Sequence, residues 1–440
     1  MPLGTPLEFN RIIRPEECVL MYQKNSLPNG LRVVTSALPY TQAVATSVFV
    51  GTGSRYETEA EAGISHFVEH MLFKGTGKRP NPQQISADIE GTGGSLNAGT
   101  DKEITVYWCK VAAPHFTSSL DVLSDMLLNS TLLSEEIERE KLVVTEEIKM
   151  AYDSPNQRVD MLIDELLWPG HPLGRDIAGT PSSVTSLTQG SLRSYMASHY
   201  VPSNAVVSIA GGIGHEEAMA AVSKYFGHWP AGGIPNSYQP AGGVHPSRVH
   251  IENRDTEQVQ FCLALPGLSI THPERFTLDL LNVILGEGMS CHLFSRIRDE
   301  MGLAYSIGSY VDHFLDTGAL TVAAGTDKSK LKTAISAVLH EMAEMGRNIT
   351  EDELARAKEY AKGRMILRME ESHALASWTG TQETISGHIH TIDDIVEIVD
   401  QKTTAQLEQL LGELLDESKL RLAVVGPVSE DEPLEELLKL

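Results

Sequence analysis

The chain has 440 residues, of which 41% are hydrophobic and 21% are charged, so it can form two or more globular domains. Its formal net charge of -24 at pH 7 argues against nucleic acid as a partner, because phosphate binding requires clustered lysine and arginine side chains. An acidic surface favours basic peptides instead, although many soluble proteins are acidic without binding them.

Sequence patterns that bear on location predict a soluble, cytoplasmic protein. Residues 1–31 contain three glutamates among short apolar runs and lack the features of a secretory or transit signal. No apolar stretch is long enough to span a bilayer, so we expect no membrane association. We also expect no disulfide and no thiolate zinc site, because no C-x-x-C pair occurs among Cys18, Cys109, Cys262 and Cys291.

The first half of the chain contains strand and helix patterns in a definite order. Residues 30–35 and 43–50 form a hairpin-like pattern of β-branched runs with turn residues on either side. Residues 60–73 then have the apolar spacing of one buried helical face, carried by Ile64, Phe67, Val68, Met71 and Leu72. The further elements predicted here are a short helix over 83–89, two strands over 94–111, and helices over 116–128 and 134–150, the last with Ser134 as N-cap.

The second half repeats this order after a segment rich in proline and glycine. We interpret residues 230–247 as a linker between a domain over residues 1–229 and a homologous domain over residues 248–440. The predicted elements of the second half are a strand over 259–265, helices over 276–285 and 293–300, strands through 322, and a helix over 329–345. Since the helix over 276–285 has no histidine, any metal chemistry is expected in the first domain.

A candidate metal motif lies in the predicted helix over residues 60–73. His66, Glu69 and His70 form the pattern H-x-x-E-H, in which two imidazoles four residues apart can reach one ion from the same helix face. This pattern is the inverted form of the thermolysin-type zinc motif. A pair of helical histidines is more often structural, and a catalytic zinc site needs a third protein ligand.

The predicted helix over residues 134–150 supplies the missing donor. Glu140 and Glu147 follow helical spacing in line with Val143 and Val144, which are expected to face the core. Buried carboxylates are costly unless they are paired or coordinated. We therefore predict Glu147 as the third ligand and Glu140 as a residue that orients a histidine ring. The alternative is that both glutamates belong to a solvated edge of the helix.

Glu69 distinguishes a catalytic site from a structural one. A closed structural metal site has no need of an additional carboxylate beside a ligand, whereas a hydrolase needs a base for the attacking water. We therefore predict one zinc ion per chain, held by His66, His70 and Glu147, with Glu69 as the general base. Neighbouring divalent ions would also fit two imidazoles and one carboxylate.

These motifs resemble the pitrilysin (insulinase) family of zinc metallopeptidases, in particular the branch of the mitochondrial processing peptidase β-subunit and its bacterial relatives. The family signature is H-x-x-E-H, then 69 residues, Glu, six residues and Glu, and His70, Glu140 and Glu147 match this spacing. Segments 63–66, 73–76, 94–98 and 202–204 fit the family as well. Over about residues 26–426, the resemblance implies an α+β fold: an α/β sandwich of two similar domains, each a mixed, mostly antiparallel sheet packed with helices.

The resemblance also implies substrate-binding residues in the second half. The family has an arginine and a tyrosine seven residues apart that bind the peptide backbone and stabilise the oxyanion, and Arg298 and Tyr305 have this spacing. Without the resemblance, Tyr305 would be interpreted as a core aromatic residue and Arg298 as one partner of a surface ion pair. Residues 286–291, GEGMSC, depart from the family's Gly-Gly-Gly-Met-Ser-Ser.

Substrate and assembly are further implications of the resemblance. The substrate would be an unfolded peptide that binds as an added strand near Asn97 and Ala98. Two subunits of this length form a chamber in the family, which suggests a homodimer here and leaves a heterodimer open. We predict a zinc endopeptidase that hydrolyses unfolded peptides or presequence-like segments. The alternatives are a noncatalytic scaffold or binding subunit of the same fold and a structural metal-binding protein.

Overall fold

A computed structural model describes residues 21–233, 238–242 and 247–440 of the chain. The strands are β1 (Gln23–Ser26), β2 (Arg32–Ala37), β3 (Ala43–Val50), β4 (Ser95–Thr100), β5 (Thr105–Ala112), β6 (Ala205–Gly211), β7 (Val249–Asn253), β8 (Val259–Pro266), β9 (Ala304–His313), β10 (Gly318–Thr326) and β11 (Arg421–Gly426). The α-helices are α1 (Ile64–Leu72), α2 (Pro82–Glu90), α3 (Phe116–Asn129), α4 (Ser134–Asp153), α5 (Pro155–Leu167), α6 (Pro181–Ser186), α7 (Gln189–His199), α8 (His215–Phe226), α9 (Arg275–Gly286), α10 (Leu331–Met345), α11 (Glu351–Met369), α12 (Ser372–Ile385), α13 (Ile392–Asp400) and α14 (Thr404–Leu414). A π-helix, Leu293–Glu300, and several short 3₁₀ segments complete the secondary structure.

The strands form two sheets, one from each half of the chain. The first sheet has the order β1-β2-β6-β3-β5-β4, and the second has the order β7-β11-β8-β10-β9. Each sheet contains one parallel pair, β2 with β6 and β7 with β11. The remaining pairs are antiparallel. The predicted α+β fold with mixed, mostly antiparallel sheets is confirmed.

The second half repeats the first element by element. In their sheet, β7, β11, β8, β10 and β9 take the positions of β2, β6, β3, β5 and β4. In chain order, α9 corresponds to α1, α10 to α3, α11 to α4 and α12 to α5. The two similar domains are therefore confirmed. Their boundaries stay a prediction, and residues 1–20, 234–237 and 243–246 lie outside the described residues.

The two halves exchange one helix each. Helix α5 of the first half packs on β8 and β11 of the second sheet, where its buried side chains contact Cys262, Ala264, Ala423 and Val425. Helix α12 of the second half packs on β3 and β6 of the first sheet. Its Gly380 lies so close to the ring of Phe49 that an added Cβ would be 2.1 Å from the ring. Each half therefore covers part of the other, and the halves stabilise one another.

Several predicted elements differ from the structure. The hairpin predicted over residues 30–35 and 43–50 is wrong, because β6 lies between β2 and β3 and pairs with both. Every residue of β6 is buried, which suits an inner strand. The predicted strands over 94–111 are confirmed as the antiparallel pair β4 and β5. The helix predicted over 293–300 has the predicted bounds but is a π-helix, a form that often occurs at functional sites.

Cysteine use and hydropathy add two observations. Cys109, Cys262 and Cys291 are buried free thiols, and Cys18 lies outside the described residues. Within the ranges that the structure describes, no helix is both long and apolar enough to cross a membrane.

Candidate metal centre

Helix α1 carries the H-x-x-E-H motif and begins at Ile64, four residues later than predicted. Gly63 precedes it with a φ of 91°, a left-handed conformation that glycine adopts without strain. The carboxylate of Glu57 accepts hydrogen bonds from the backbone N–H groups of Gly63 and Ser65, both at 2.8 Å. Burial raises the pKa of Glu57 to about 7, although these hydrogen bonds act in the opposite direction. Glu57 thereby fixes the start of the motif helix.

The side chains of α1 divide between the core and the site. The buried apolar side chains are Ile64, Phe67, Val68, Met71 and Leu72, all in the core of the first half. His66, Glu69 and His70 are partly exposed; His70 contacts two glutamates of α4, and Glu69 contacts a threonine of β4. Burial of one face of α1 therefore fixes the direction of the three polar side chains.

Three of the residues singled out in the sequence meet where α1 contacts α4. His66 Nε2 lies 3.2 Å from His70 Nε2, and His70 Nε2 lies 3.5 Å from a carboxylate oxygen of Glu147. One potential ligand atom from each of these three residues lies within 4.8 Å of the others. No second group of three or more His, Cys, Asp or Glu side chains meets this criterion in the part of the chain that the structure describes.

Glu140 links the histidines to a cation. Glu140 Oε1 accepts a hydrogen bond from His70 Nδ1 at 2.8 Å, and Glu140 Oε2 pairs with Lys74 Nζ at 2.5 Å. Burial acts to raise the pKa of Glu140, but the hydrogen bonds from His70 and Lys74 outweigh it and lower the pKa. An ionised Glu140 can only accept, so the proton of His70 lies on Nδ1 and the lone pair on Nε2.

The donor set fits a zinc ion. Two imidazole nitrogens and one carboxylate oxygen are a protein ligand set of catalytic zinc sites. Burial and the neighbouring His70 lower the pKa of His66 to about 4, so the ring is neutral at pH 7 and offers a lone pair. For His70, burial acts to lower the pKa, but Glu140 and Glu147 raise it overall. A cation between these groups would compensate the negative charge of Glu147 and Glu140.

Glu69 lies beside the group without belonging to it. Its Oε2 accepts a hydrogen bond from Thr100 Oγ1 at 2.5 Å, at the end of β4. Burial raises the pKa of Glu69 and the charge of Glu147 adds to this, while the hydrogen bond from Thr100 partly opposes it. A raised pKa makes the carboxylate a stronger base, which suits a group that must accept a proton from water.

The predicted orientation of α4 is only partly correct. Glu140 and Val144 are buried, as the helical spacing indicated, but Val143 is 45% exposed and the side chain of Glu147 is 44% exposed. The prediction that Val143 faces the core is wrong because α4 buries only one narrow face, so a residue 100° from Val144 already lies outside it. Ser134 is the first residue of the helix rather than its N-cap, a position held by Leu133.

Arg298 and Tyr305 lie together in the second half. The guanidinium of Arg298, at the end of the π-helix, lies 4.5 Å from the ring centroid of Phe294 and 5.9 Å from that of Tyr305. Tyr305 is 75% exposed, so it is not a core aromatic residue. It lines a pocket of about 450 Å³ together with residues such as Lys330. These contacts are confined to the second half. Neither residue belongs to the group formed by His66, His70 and Glu147, which is called the metal group below.

Asn97 and Ala98 lie on β4, one of the two edge strands of the first sheet. They pair with Trp108 and Tyr107 of β5, and the other edge of β4 has no strand partner among the described residues. Asn97 is exposed. An open strand edge next to Thr100 and Glu69 is a surface on which an extended peptide can pair.

Sequence reasoning did not single out Lys74, Thr100 or Glu57. Lys74 follows His70 by four residues, so a search for a cation able to pair with a buried Glu140 could have found it. Thr100 reaches Glu69 only because β4 lies beside α1, and no local pattern indicates that contact. Glu57 caps α1 from outside the helix, across an intervening 3₁₀ segment.

Comparison with known proteins settles the family. Residues 32–181 match the insulinase family, peptidase family M16, and residues 186–360 match the domain described as the peptidase M16 inactive domain. The chain belongs to the insulinase (M16) family. The uncharacterized zinc protease YmxG of Bacillus subtilis is 36% identical over 92% of this chain and 98% of its own length. The uncharacterized zinc protease ML0855 of Mycobacterium leprae is 34% identical over 95% of this chain and 94% of its own length.

Solved structures agree on the fold. A protease from Helicobacter pylori has a TM-score of 0.87 at 23% identity and covers 92% of this chain and 99% of its own. A chain of complex III2 from Candida albicans has a TM-score of 0.81 at 20% identity and covers 95% of this chain and 100% of its own. The M16 family and the names of the relatives support a metallopeptidase that uses zinc. The branch of the mitochondrial processing peptidase stays a prediction.

Proposed function

We propose that the protein is a zinc endopeptidase that hydrolyses unfolded peptides. The observation that carries this proposal is the position of Glu69, a partly exposed carboxylate that accepts a hydrogen bond from Thr100 beside the group formed by His66, His70 and Glu147. A structural metal site would be complete without Glu69, whereas hydrolysis requires a base at this position.

The residues of the site have different roles in the proposed reaction. His66, His70 and Glu147 would hold one zinc ion, which when bound makes water more acidic and polarises the scissile carbonyl. Glu69 accepts a proton from the attacking water and returns it to the departing amine. Glu140, held by Lys74, keeps His70 in one tautomer and one orientation, which supports this division.

The peptide would bind as an additional strand along β4, near Asn97 and Ala98. The open edge of β4 and its proximity to Glu69 through Thr100 support this position. Backbone pairing tolerates many sequences, which suits unfolded or presequence-like substrates. Arg298 and Tyr305 would bind the peptide backbone and stabilise the oxyanion, and the exposure of Tyr305 supports a role in binding.

The assembly of subunits bears on this role. Because Arg298 and Tyr305 contact each other apart from the metal group, a second subunit could bring its own pair to the metal of the first. We therefore include a homodimer in the proposal, with a heterodimer as the alternative, and the mass in solution distinguishes them. Action in the cytoplasm also stays a prediction.

The test is hydrolysis of a quenched, basic, unstructured peptide by the purified protein. Chelation should abolish cleavage, and Glu69→Gln should retain zinc while losing at least about a hundredfold in kcat. Glu146→Gln is the matched control, because Glu146 is an exposed carboxylate of α4 that pairs with Lys149, and it should keep full activity.

Two results would contradict the proposal. Cleavage that survives Glu69→Gln would point to another base or a contaminating protease. An inert wild type that binds zinc and is intact in mass would favour a noncatalytic scaffold subunit, or an enzyme that needs a different partner chain.

A further inference from the structure

Large apolar side chains are exposed on α4, the helix that carries Glu147. Leu142 and Met150 are each 71% exposed, and Val143 is 45% exposed. The rest of this helix is rich in glutamate and lysine, so it is not an apolar surface as a whole. Single exposed hydrophobic residues are common, and only their position relative to the metal group can give them meaning.

Viewed along its axis, α4 has its buried face on one side of Glu147. At about 100° per residue, Val144 and Ile148 are about 60° and 100° round the helix from Glu147, and both are buried. Glu140 is only about 20° from Glu147 in the same direction. The metal group therefore lies at the border between the buried face of α4 and its open face.

Val143 and Met150 lie on the open side of this border. They are about 40° and 60° from Glu147, in the direction opposite to the core. Residues three or four apart on a helix have Cβ atoms about 5–6 Å apart, so both side chains adjoin the ligand carboxylate. Leu142 has the same exposure as Met150 but lies about 140° from Glu147, on the far surface of the helix.

We propose that Val143 and Met150 contact the substrate side chain next to the scissile bond and select a large apolar side chain there. This inference rests on the proposed peptidase function, because it requires the scissile carbonyl to lie at the metal group. With the carbonyl at that position, the side chain of an adjacent substrate residue would reach the neighbouring turn of α4. An apolar side chain would bury the exposed surface of Met150 and Val143, whereas a polar one would lose water without gaining a partner.

The test compares peptides that have leucine or glutamine directly before or directly after the bond that the wild type cleaves. The wild type should favour leucine at one of these two positions. Met150→Gln and Val143→Thr should each reduce the leucine-to-glutamine ratio of kcat/KM by about threefold to tenfold. The same loss of preference should appear in peptide binding when each substitution is combined with Glu69→Gln, which removes turnover from the measurement. Zinc content and the unfolding temperature are measured for every variant.

Leu142→Gln is the matched control and should leave the leucine preference unchanged. The inference is overturned if the wild type cleaves without preferring leucine, or if Leu142→Gln has the same effect as Met150→Gln. It is also overturned if Met150→Gln changes the mass of the assembly in solution, because the two side chains would then belong to a contact between copies of this chain. Absence of wild-type cleavage would instead refute the proposed function itself.

Discussion

Helices α1 and α9 occupy equivalent positions in the two halves but carry different chemistry. Helix α1 presents His66, Glu69 and His70 toward α4 and β4. Helix α9 instead fills the core of the second half, and its buried side chains are apolar apart from two: Thr277 and Asn282. Helices in equivalent positions therefore carry Glu69 and the histidines of the metal group in the first half and mostly apolar core residues in the second half.

The partner helices differ in the same way. Helix α4 offers Glu140 to His70 of α1, whereas α11, its counterpart, packs against the core around α9 with apolar residues and pairs Glu353 with His292, which precedes the π-helix. Burying Glu140 is tolerated because both of its oxygens have partners, one of them the cation of Lys74. The fold therefore does not need the polar group for its stability, and the group occurs where additional charges compensate it.

The largest effect is expected when α1 is made to resemble α9. Substituting both His66→Leu and His70→Leu removes two of the three proposed ligands, so tight zinc binding should be lost and kcat/KM should fall at least about a thousandfold. The zinc-free double variant should be less stable than the zinc-free wild type by about 1–3 kcal/mol, because Glu140 Oε1 stays buried without its hydrogen bond from His70. Zinc content, peptide hydrolysis and thermal unfolding after chelation measure these outcomes.

A histidine outside the group provides the control. His388→Leu replaces an exposed histidine of the second half and should change neither zinc content nor hydrolysis. The comparison between the halves would fail if the double variant of α1 still bound one zinc ion per chain as tightly as the wild type.

Local patterns predicted the parts of the fold that depend on neighbouring residues. The helix predicted over 116–128 is α3, Phe116–Asn129, and the helix predicted over 276–285 is α9, Arg275–Gly286. The insertion of β6 between β2 and β3 and the exchange of α5 and α12 were not predicted, because they depend on contacts between distant parts of the chain. Periodicity within a segment contains no information about which partner covers it.

In the candidate site, too, sequence patterns predicted the positions within one helix better than the contacts between elements. Helical spacing alone proposed that His66 and His70 share one face and that Glu147, on another helix, is the third ligand. The spacing of the family signature agreed with this choice. The predicted burial of Glu140 is confirmed, but Val143 lies outside the narrow buried face of α4. The hydrogen bond from Thr100 to Glu69 connects a strand to a helix, so neither pattern indicates it.

An intermediate effect is expected in α9, where Leu281 is fully buried. Leu281→Ala should leave a cavity and lower the free energy of unfolding by about 2–5 kcal/mol, without changing zinc affinity. Denaturant unfolding and zinc titration measure the two quantities. Leu367→Ala, at a residue of α11 that is 70% exposed, should change neither. If Leu281→Ala weakened zinc binding as strongly as it weakened the fold, α9 would be more than a structural counterpart of α1.

The smallest effect is expected at Lys74, the residue that allows α1 and α4 to bury a carboxylate. Lys74→Met leaves Glu140 Oε2 without its cation, so Glu140 holds His70 less firmly. We expect zinc affinity to fall about tenfold to a hundredfold, as is typical when a partner of a metal ligand is removed. Competition with a zinc-binding dye measures the affinity without reference to turnover.

Two further lysine variants separate positioning from a general loss of charge. Lys74→Arg keeps a cation beside Glu140 and should restore most of the affinity. Lys78 lies in the loop after α1, is more exposed than Lys74 and pairs with Asp121 of α3. Lys78→Met should leave zinc affinity unchanged. If Lys74→Met and Lys78→Met weakened zinc binding equally, the effect would come from the net charge of the surface rather than from Glu140. The burial of Glu140 would then have to depend on His70 alone.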